Sequence, residues 1–127
     1  MRTRKEYAKM VEERFEALLP ATEKDSFALG SMPGLLVDSM RYSLLAGGKR
    51  LRPALVLMAC EAMGGDVKKA IKPAVGLELF HNFTLLHDDV MDNADVRRGK
   101  PTVHRRWNDN TAILSGDAML TMSNQYV

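Results

Sequence analysis

The sequence predicts an all-α fold. Three observations carry this expectation. Apolar residues recur at three- and four-residue spacing through successive stretches; capping residues, prolines or glycines bound those stretches; and no stretch alternates with the two-residue period of a half-buried strand.

Thr3 is placed to cap a first helix carrying Tyr7, Met10, Val11, Phe15, Leu18 and Leu19, which Pro20 must stop. Residues 21–32 mix Thr, Asp, Ser and Gly and read as a connector. Pro33 suits a first helical position, and Leu36, Met40, Ser43 and Leu44 continue a second helix until Gly47 and Gly48 break it. Pro53 opens a third segment, Ala54 to Met63, whose nearly unbroken apolar character predicts a buried helix closed by Gly64 and Gly65. Asp66 can cap the longest helical stretch, Val67 to about Met91, with Val75, Leu79, Leu86 and Val90 on one apolar face. Pro73 either kinks that helix or marks its true first turn, and the second option is the expected one. The polar, basic segment Asp95 to Pro101 reads as a loop. A last helix is expected from near Asn110, still running at Val127.

The 127 residues make one modest domain, since a chain this long buries about two-thirds of its unfolded surface. With 46% hydrophobic and 27% charged residues, the composition excludes disordered and low-complexity classes. Eighteen basic residues against sixteen acidic ones leave +2, too little for a nucleic-acid-binding surface, so any anion site must be built locally. The single cysteine, Cys60, excludes an internal disulfide and is expected to be a small buried side chain. The N-terminus lacks the apolar core of a signal peptide, and the longest apolar run, Ala54 to Cys60, falls far short of the roughly 20 residues that span a bilayer. A cytoplasmic protein without a membrane span is expected.

Three clusters could carry chemistry. On the long helix, Asp88 and Asp92 project from nearly the same face with about 6 Å of rise between them, Asp89 lies beside them, and His81 stands two turns earlier. Such carboxylates repel, more so at a helix C-terminus, where the macrodipole is negative. Solvated surface acids are one reading. Their setting among Leu85, Leu86, Val90 and Met91 favours another, in which a cation is required; hard oxygen ligands at this spacing suit Mg²⁺, which commonly bridges carboxylates to phosphates. Gly47 to Pro53 then places Lys49, Arg50 and Arg52 at a helix-to-helix junction, donors suited to phosphate oxygens, though a glycine-capped helix end with solvated bases would look similar. It lacks a P-loop pattern. Arg97 and Arg98 follow Asp92 closely and could neutralise the part of an anion that a metal leaves uncovered. His87 and His104 lack zinc-like partners, the nine methionines read as core filling, and Asp117 is at most an inward-facing polar residue.

These runs, GGKRLRP at 47–53, ELFHNFTLLHDDVMD at 78–92 and RRG at 97–99, resemble the trans-isoprenyl diphosphate synthases, the farnesyl and geranylgeranyl diphosphate synthases among them. The likeness spans about residues 35–120 in order, spacing and sequence. It implies an isoprenoid synthase fold, an antiparallel helical bundle of which this chain is the N-terminal part, and transfer of an allylic prenyl group to isopentenyl diphosphate. By the same resemblance Asp88 and Asp92, with Asp89 alongside, would ligate Mg²⁺ on the allylic diphosphate. Lys49, Arg52 and His81 would hold the diphosphate of isopentenyl diphosphate, with Arg97 on the allylic and Arg98 on the isopentenyl one. Phe83 and Thr84 would form the floor of the elongation pocket, and a bulky ring beside a small residue implies a short product of about C15 to C20.

Members of the family run to about 300 residues, near the upper size of a single core, and carry a second aspartate-rich motif that this sequence lacks. The chain is therefore expected to be the incomplete N-terminal half of a synthase, inactive alone, whose parent enzyme is a homodimer. Two other readings remain open: a non-catalytic helical subunit that pairs with a larger synthase, and a class I terpene cyclase. Lys49, Arg52 and His81 argue against the cyclase, which needs no isopentenyl pocket.

Overall fold

The computed structural model describes residues 2–19, 34–46 and 48–126. Among them lie helices α1 (Arg4–Leu18), α2 (Gly34–Leu44), α3 (Leu51–Ala62), α4 (Val67–Met91), α5 (Val103–Arg106) and α6 (Asp109–Gln125). A two-stranded antiparallel ribbon, β1 (Val96–Arg97) with β2 (Lys100–Pro101), interrupts them. The class is all-α, as the periodicity predicts, and no described helix is long and apolar enough to cross a membrane. Pro20, the 21–32 connector, Pro33, Gly47 and Val127 lie outside the described residues.

Local chemistry sets the helix ends. The Thr3 side chain accepts from the Glu6 amide while Glu6 reaches back to Thr3, a reciprocal capping box. Asp66 and Asn108 cap α4 and α6 through the amides of Lys68 and Thr111. Pro73 is not a first helical residue, contrary to expectation. It sits inside α4, because Asp66 caps the helix seven residues earlier and Val67, 5% exposed, is already in the core. Burial of that first turn offsets the hydrogen bond that proline cannot donate.

The central helix is α4, whose buried residues gather on one broad face, an arc of about 140° at 100° per residue: Ala74, Val75, Leu79 and Leu86, and also Glu78, Asn82 and Asp89. It packs on α6 along one side and α3 along another, with α1 against α3 and α2 against α6. Two glycines set the α4–α6 approach. A Cβ on Gly76 would come within 2.9 Å of Tyr126 Cβ, and one on Gly116 within 2.5 Å of His87 Nε2. These contacts pair 76 with 126 and 87 with 116, so the two helices run antiparallel.

Three expectations change at this level. The third helix begins at Leu51 rather than Ala54 and buries one face only, Pro53, Ala54 and Leu57; Leu55 is 61% exposed. Cys60 is half-buried, its thiol 3.5 Å from the Asp66 carbonyl, because it stands at the rim of α3. The 95–101 loop contains the β1–β2 hairpin, with positive φ at both central residues, Arg98 (52°) and Gly99 (76°), as a type I′ turn requires.

Candidate anion and cation site

The C-terminal turn of α4 carries all three aspartates, but not in one environment. Asp88 and Asp92 are exposed and make no ion pair among the described residues, and the Asp92 amide closes the helix on the Asp88 carbonyl at 2.8 Å. Asp89, expected beside them as a metal ligand, is 6% exposed on another face. Both its oxygens accept from Arg97, from Nε at 2.8 Å and from Nη2 at 2.7 Å. This fork uses two of the five guanidinium N–H groups and leaves three for another anion. It also holds the Arg97 pKa above its usual value.

The hairpin makes this pairing possible. Asn93, at φ 55°, ends α4; Thr102 then pins the returning strand, donating from Oγ1 to the Ala94 carbonyl at 2.9 Å and from its amide to Asp95 at 3.0 Å. Arg105 bonds Asp95 at 2.6 Å and Asn93 at 2.6 Å, bracing the same turn. Arg97 is thereby folded back onto the helix that bears the acids.

The basic cluster forms around the start of α3. Gly48 has φ 114°, a backbone conformation that favours glycine, and a Cβ there would crowd the Arg98 guanidinium, coming within 3.0 Å of its carbon. Arg52 Nη1 lies 3.2 Å from His81 Nε2; since arginine can only donate, the imidazole accepts there and keeps its proton on Nδ1. Burial, then the charges of Arg52, Arg98 and Arg97 outweighing Glu78, hold the His81 pKa below its usual 6.5. Burial, with Arg50 and Arg97 nearby, likewise lowers that of Arg98. Cations packed at mutual electrostatic cost are relieved by a bound anion.

Lys49, Arg52, His81 and Arg98 line an open concavity of about 360 Å³, counted with the solvent space at its mouth. Arg98 also lines a second one of about 380 Å³, beside Asp89, Arg97 and Asn82. The cations expected to bind anions thus converge, and Arg98 joins the two concavities. No group of three or more His, Cys, Asp or Glu among the described residues could cage a metal ion. Asp88 and Asp92 supply hard oxygen ligands but only two of them, which fits an ion completing its shell with phosphate oxygens and water, as Mg²⁺ does.

Arg50, the third cation of the run, departs from its neighbours. It is buried, 4% exposed, with left-handed backbone at φ 53°, a conformation costing about 1–2 kcal/mol for a residue with a Cβ. Its partner Glu78 is buried inside α4. An acid embedded in an apolar stretch was the sequence signal for this pair. Phe83 is part of an aromatic row, edge-on to Phe80 at 5.5 Å and to His87 at 4.9 Å, and Thr84 donates back to the His81 carbonyl at 2.6 Å. His87 lies 3.0 Å from the Ile113 carbonyl and 3.5 Å from Asp117, which is exposed rather than inward-facing. His104 is buried, with Nδ1 unpartnered.

Comparison with known proteins agrees with this arrangement of helices. Geranylgeranyl pyrophosphate synthetase from the archaeon Geoglobus acetivorans superposes with a TM-score of 0.84 at 43% identity, over 96% of this chain and 37% of that one. Geranyltranstransferase from Thermotoga maritima gives 0.84 at 37% identity, over 97% and 44%. In sequence, geranylgeranyl diphosphate synthase from Methanosarcina mazei is 45% identical over 86% of this chain and 31% of its own length. The chloroplastic geranylgeranyl pyrophosphate synthase of Capsicum annuum is 41% identical over 94% and 35%. The chain therefore spans about a third of the length of these curated relatives. A model of the polyprenyl synthetase family matches residues 33–127, the stretch that holds both concavities, and the chain belongs to that family.

Proposed function

We propose that this chain is the N-terminal, diphosphate-binding portion of a prenyltransferase that condenses isopentenyl diphosphate with an allylic diphosphate to give a polyprenyl diphosphate of about C15 to C20. One observation carries the reading: Lys49, Arg52, His81 and Arg98 line a basic concavity that shares Arg98 with the one beside Asp89 and Arg97. Two anion sites joined in this way suit two diphosphates whose carbon ends must meet. A terpene cyclase takes one diphosphate and has no use for the second site.

In this mechanism Asp88 and Asp92 would hold Mg²⁺ against the allylic diphosphate, where the metal would supply charge neutralisation. Arg97, oriented by Asp89, turns its remaining N–H groups to the same diphosphate and stabilises the charge that builds as the allylic C–O bond breaks. Lys49, Arg52, His81 and Arg98 keep the isopentenyl diphosphate in place while its double bond forms the new C–C bond with the allylic carbon and a proton leaves. The bundle's apolar interior keeps water from the allylic cation. The homodimer and cytoplasmic setting implied by the resemblance, and inactivity of this chain alone, belong to the same proposal.

Inorganic pyrophosphate tests it without turnover. Bound at the basic concavity, it reverses the field at His81, so the imidazole titration followed by NMR should move up from its depressed position toward or beyond 6.5. The stability sign follows from the depressed value. The unfolded chain takes the proton first, so His81 contributes stability above pH 6.5 that is lost as pH falls through its folded pKa, and pyrophosphate should reduce that loss. A titration point indifferent to pyrophosphate would refute the basic site. In an active synthase containing this segment, Phe83→Ala should remove the pocket floor and lengthen the main product by about one five-carbon unit or more; an unchanged chromatogram refutes the floor.

A further inference from the structure

We propose that Arg50 is a positioning residue: tied to α1, α2 and α4 at once, it fixes loop 48–50 and the first turn of α3 so that Lys49 and Arg52 face the concavity beside His81. Its side chain is 2% exposed. Nη1 donates to Glu78 at 3.4 Å, Nη2 donates to the Leu44 carbonyl, and Nε lies 3.5 Å from the Glu12 carboxylate, an ion-pair distance without hydrogen-bond geometry. The group also stands over the Phe15 ring, 5.4 Å from its centroid. A second arginine works on the same loop, Arg4 Nη1 donating to the Lys49 carbonyl at 2.7 Å.

Helix capping does not account for this residue. Arg50 occupies the N-cap of α3 without making a side-chain cap bond, in left-handed backbone that glycine or asparagine would adopt at lower cost. Its interactions instead fix the residue between two exposed cations, Lys49 before it and Arg52 two positions after. Glu78 stands three residues before His81 on α4, so the helix that anchors Arg50 also presents the imidazole that Arg52 meets. Lysine would keep the charge but not the fork that reaches Glu78 and Leu44 together. The geometry stands by itself; only its purpose rests on the diphosphate reading above.

The test is Arg50→Lys in the full 127-residue chain, with folding followed by circular dichroism. Two readouts separate the claims. Without ligand, a displaced Arg52 no longer opposes protonation of His81, so the NMR titration of that imidazole should rise toward 6.5. With inorganic pyrophosphate, calorimetry should show affinity about ten- to a hundredfold weaker than in the parent chain. A folded Arg50→Lys chain with an unshifted His81 titration overturns the positioning role. A parent chain that does not bind pyrophosphate overturns the diphosphate reading, while the His81 titration still decides the role of Arg50. Should Arg50→Lys not fold, Glu12→Gln removes only the half-exposed outer tether. A raised His81 titration there supports the role, and an unchanged one overturns it.

Discussion

Alanine at both Asp88 and Asp92 is expected to abolish Mg²⁺-dependent tightening of pyrophosphate binding by this chain. In a longer synthase polypeptide carrying the segment, it should lower kcat by about 10²–10³-fold or more. The structure separates this loss from misfolding. Both carboxylates are exposed, one turn apart at the negative end of α4, and make no ion pair among the described residues. Removing a like-charged pair at this spacing relieves about 0.2–0.5 kcal/mol, and removing acids from a helix C-terminus about 0.3–1 kcal/mol each. The double variant should therefore unfold at an equal or higher temperature while losing its response to Mg²⁺. Calorimetric titration of pyrophosphate with and without Mg²⁺, beside a thermal melt, checks both signs. Undiminished Mg²⁺-dependent binding would remove the acids from the site.

Much of the fold was legible because the sequence marks its helix ends with local chemistry. Thr3 and Asp66 mark two starts directly and make the capping bonds expected of them, and the start expected near Asn110 falls within two residues of the Asn108 cap. Where tertiary burial competes with local rules, the reading failed. Pro73 reads as a first turn by its missing N–H, yet the core contact of Val67 carries the helix through it. The nearly continuous apolar run of α3 predicts burial on all sides, but the described structure covers one face. The β1–β2 hairpin, with two residues per strand, is too short to show a period of two.

For the candidate site, residue type was legible and residue geometry was not. Three cations in four residues mark a candidate anion-handling junction, but tertiary packing decides that Lys49 and Arg52 are exposed while Arg50 is buried. The same applies to the acids. D-D-x-x-D presents three carboxylates, and at 100° per residue Asp88 and Asp92 lie about 40° apart, with Asp89 about 60° from Asp92 and about 100° from Asp88, toward the buried side. That offset was available from sequence. The bidentate contact from Arg97 was not, because it depends on the hairpin that returns the chain onto α4.

Asp89→Asn is accordingly expected to behave unlike the Asp88 and Asp92 substitutions. Asparagine has nearly the same shape but keeps one acceptor oxygen and sets an NH₂ donor against the guanidinium, so one of the two bonds is lost and the other loses its ionic character. Hydrogen bonds to charged groups contribute about 1.5–3 kcal/mol, and the Arg97 side chain is 38% exposed and can rehydrate, so about 1–2 kcal/mol of folding stability should be lost by urea titration. Arg97, no longer held side-on, should sample other rotamers, and pyrophosphate affinity without metal should fall about tenfold, or 1.4 kcal/mol. The Mg²⁺ concentration giving half of the metal-dependent effect should stay as in the parent chain, since Asp88 and Asp92 are unchanged. If it rises sharply instead, Asp89 leaves Arg97 and joins the metal when the anion binds. If neither affinity nor stability moves, the Asp89–Arg97 fork has no part in holding the site.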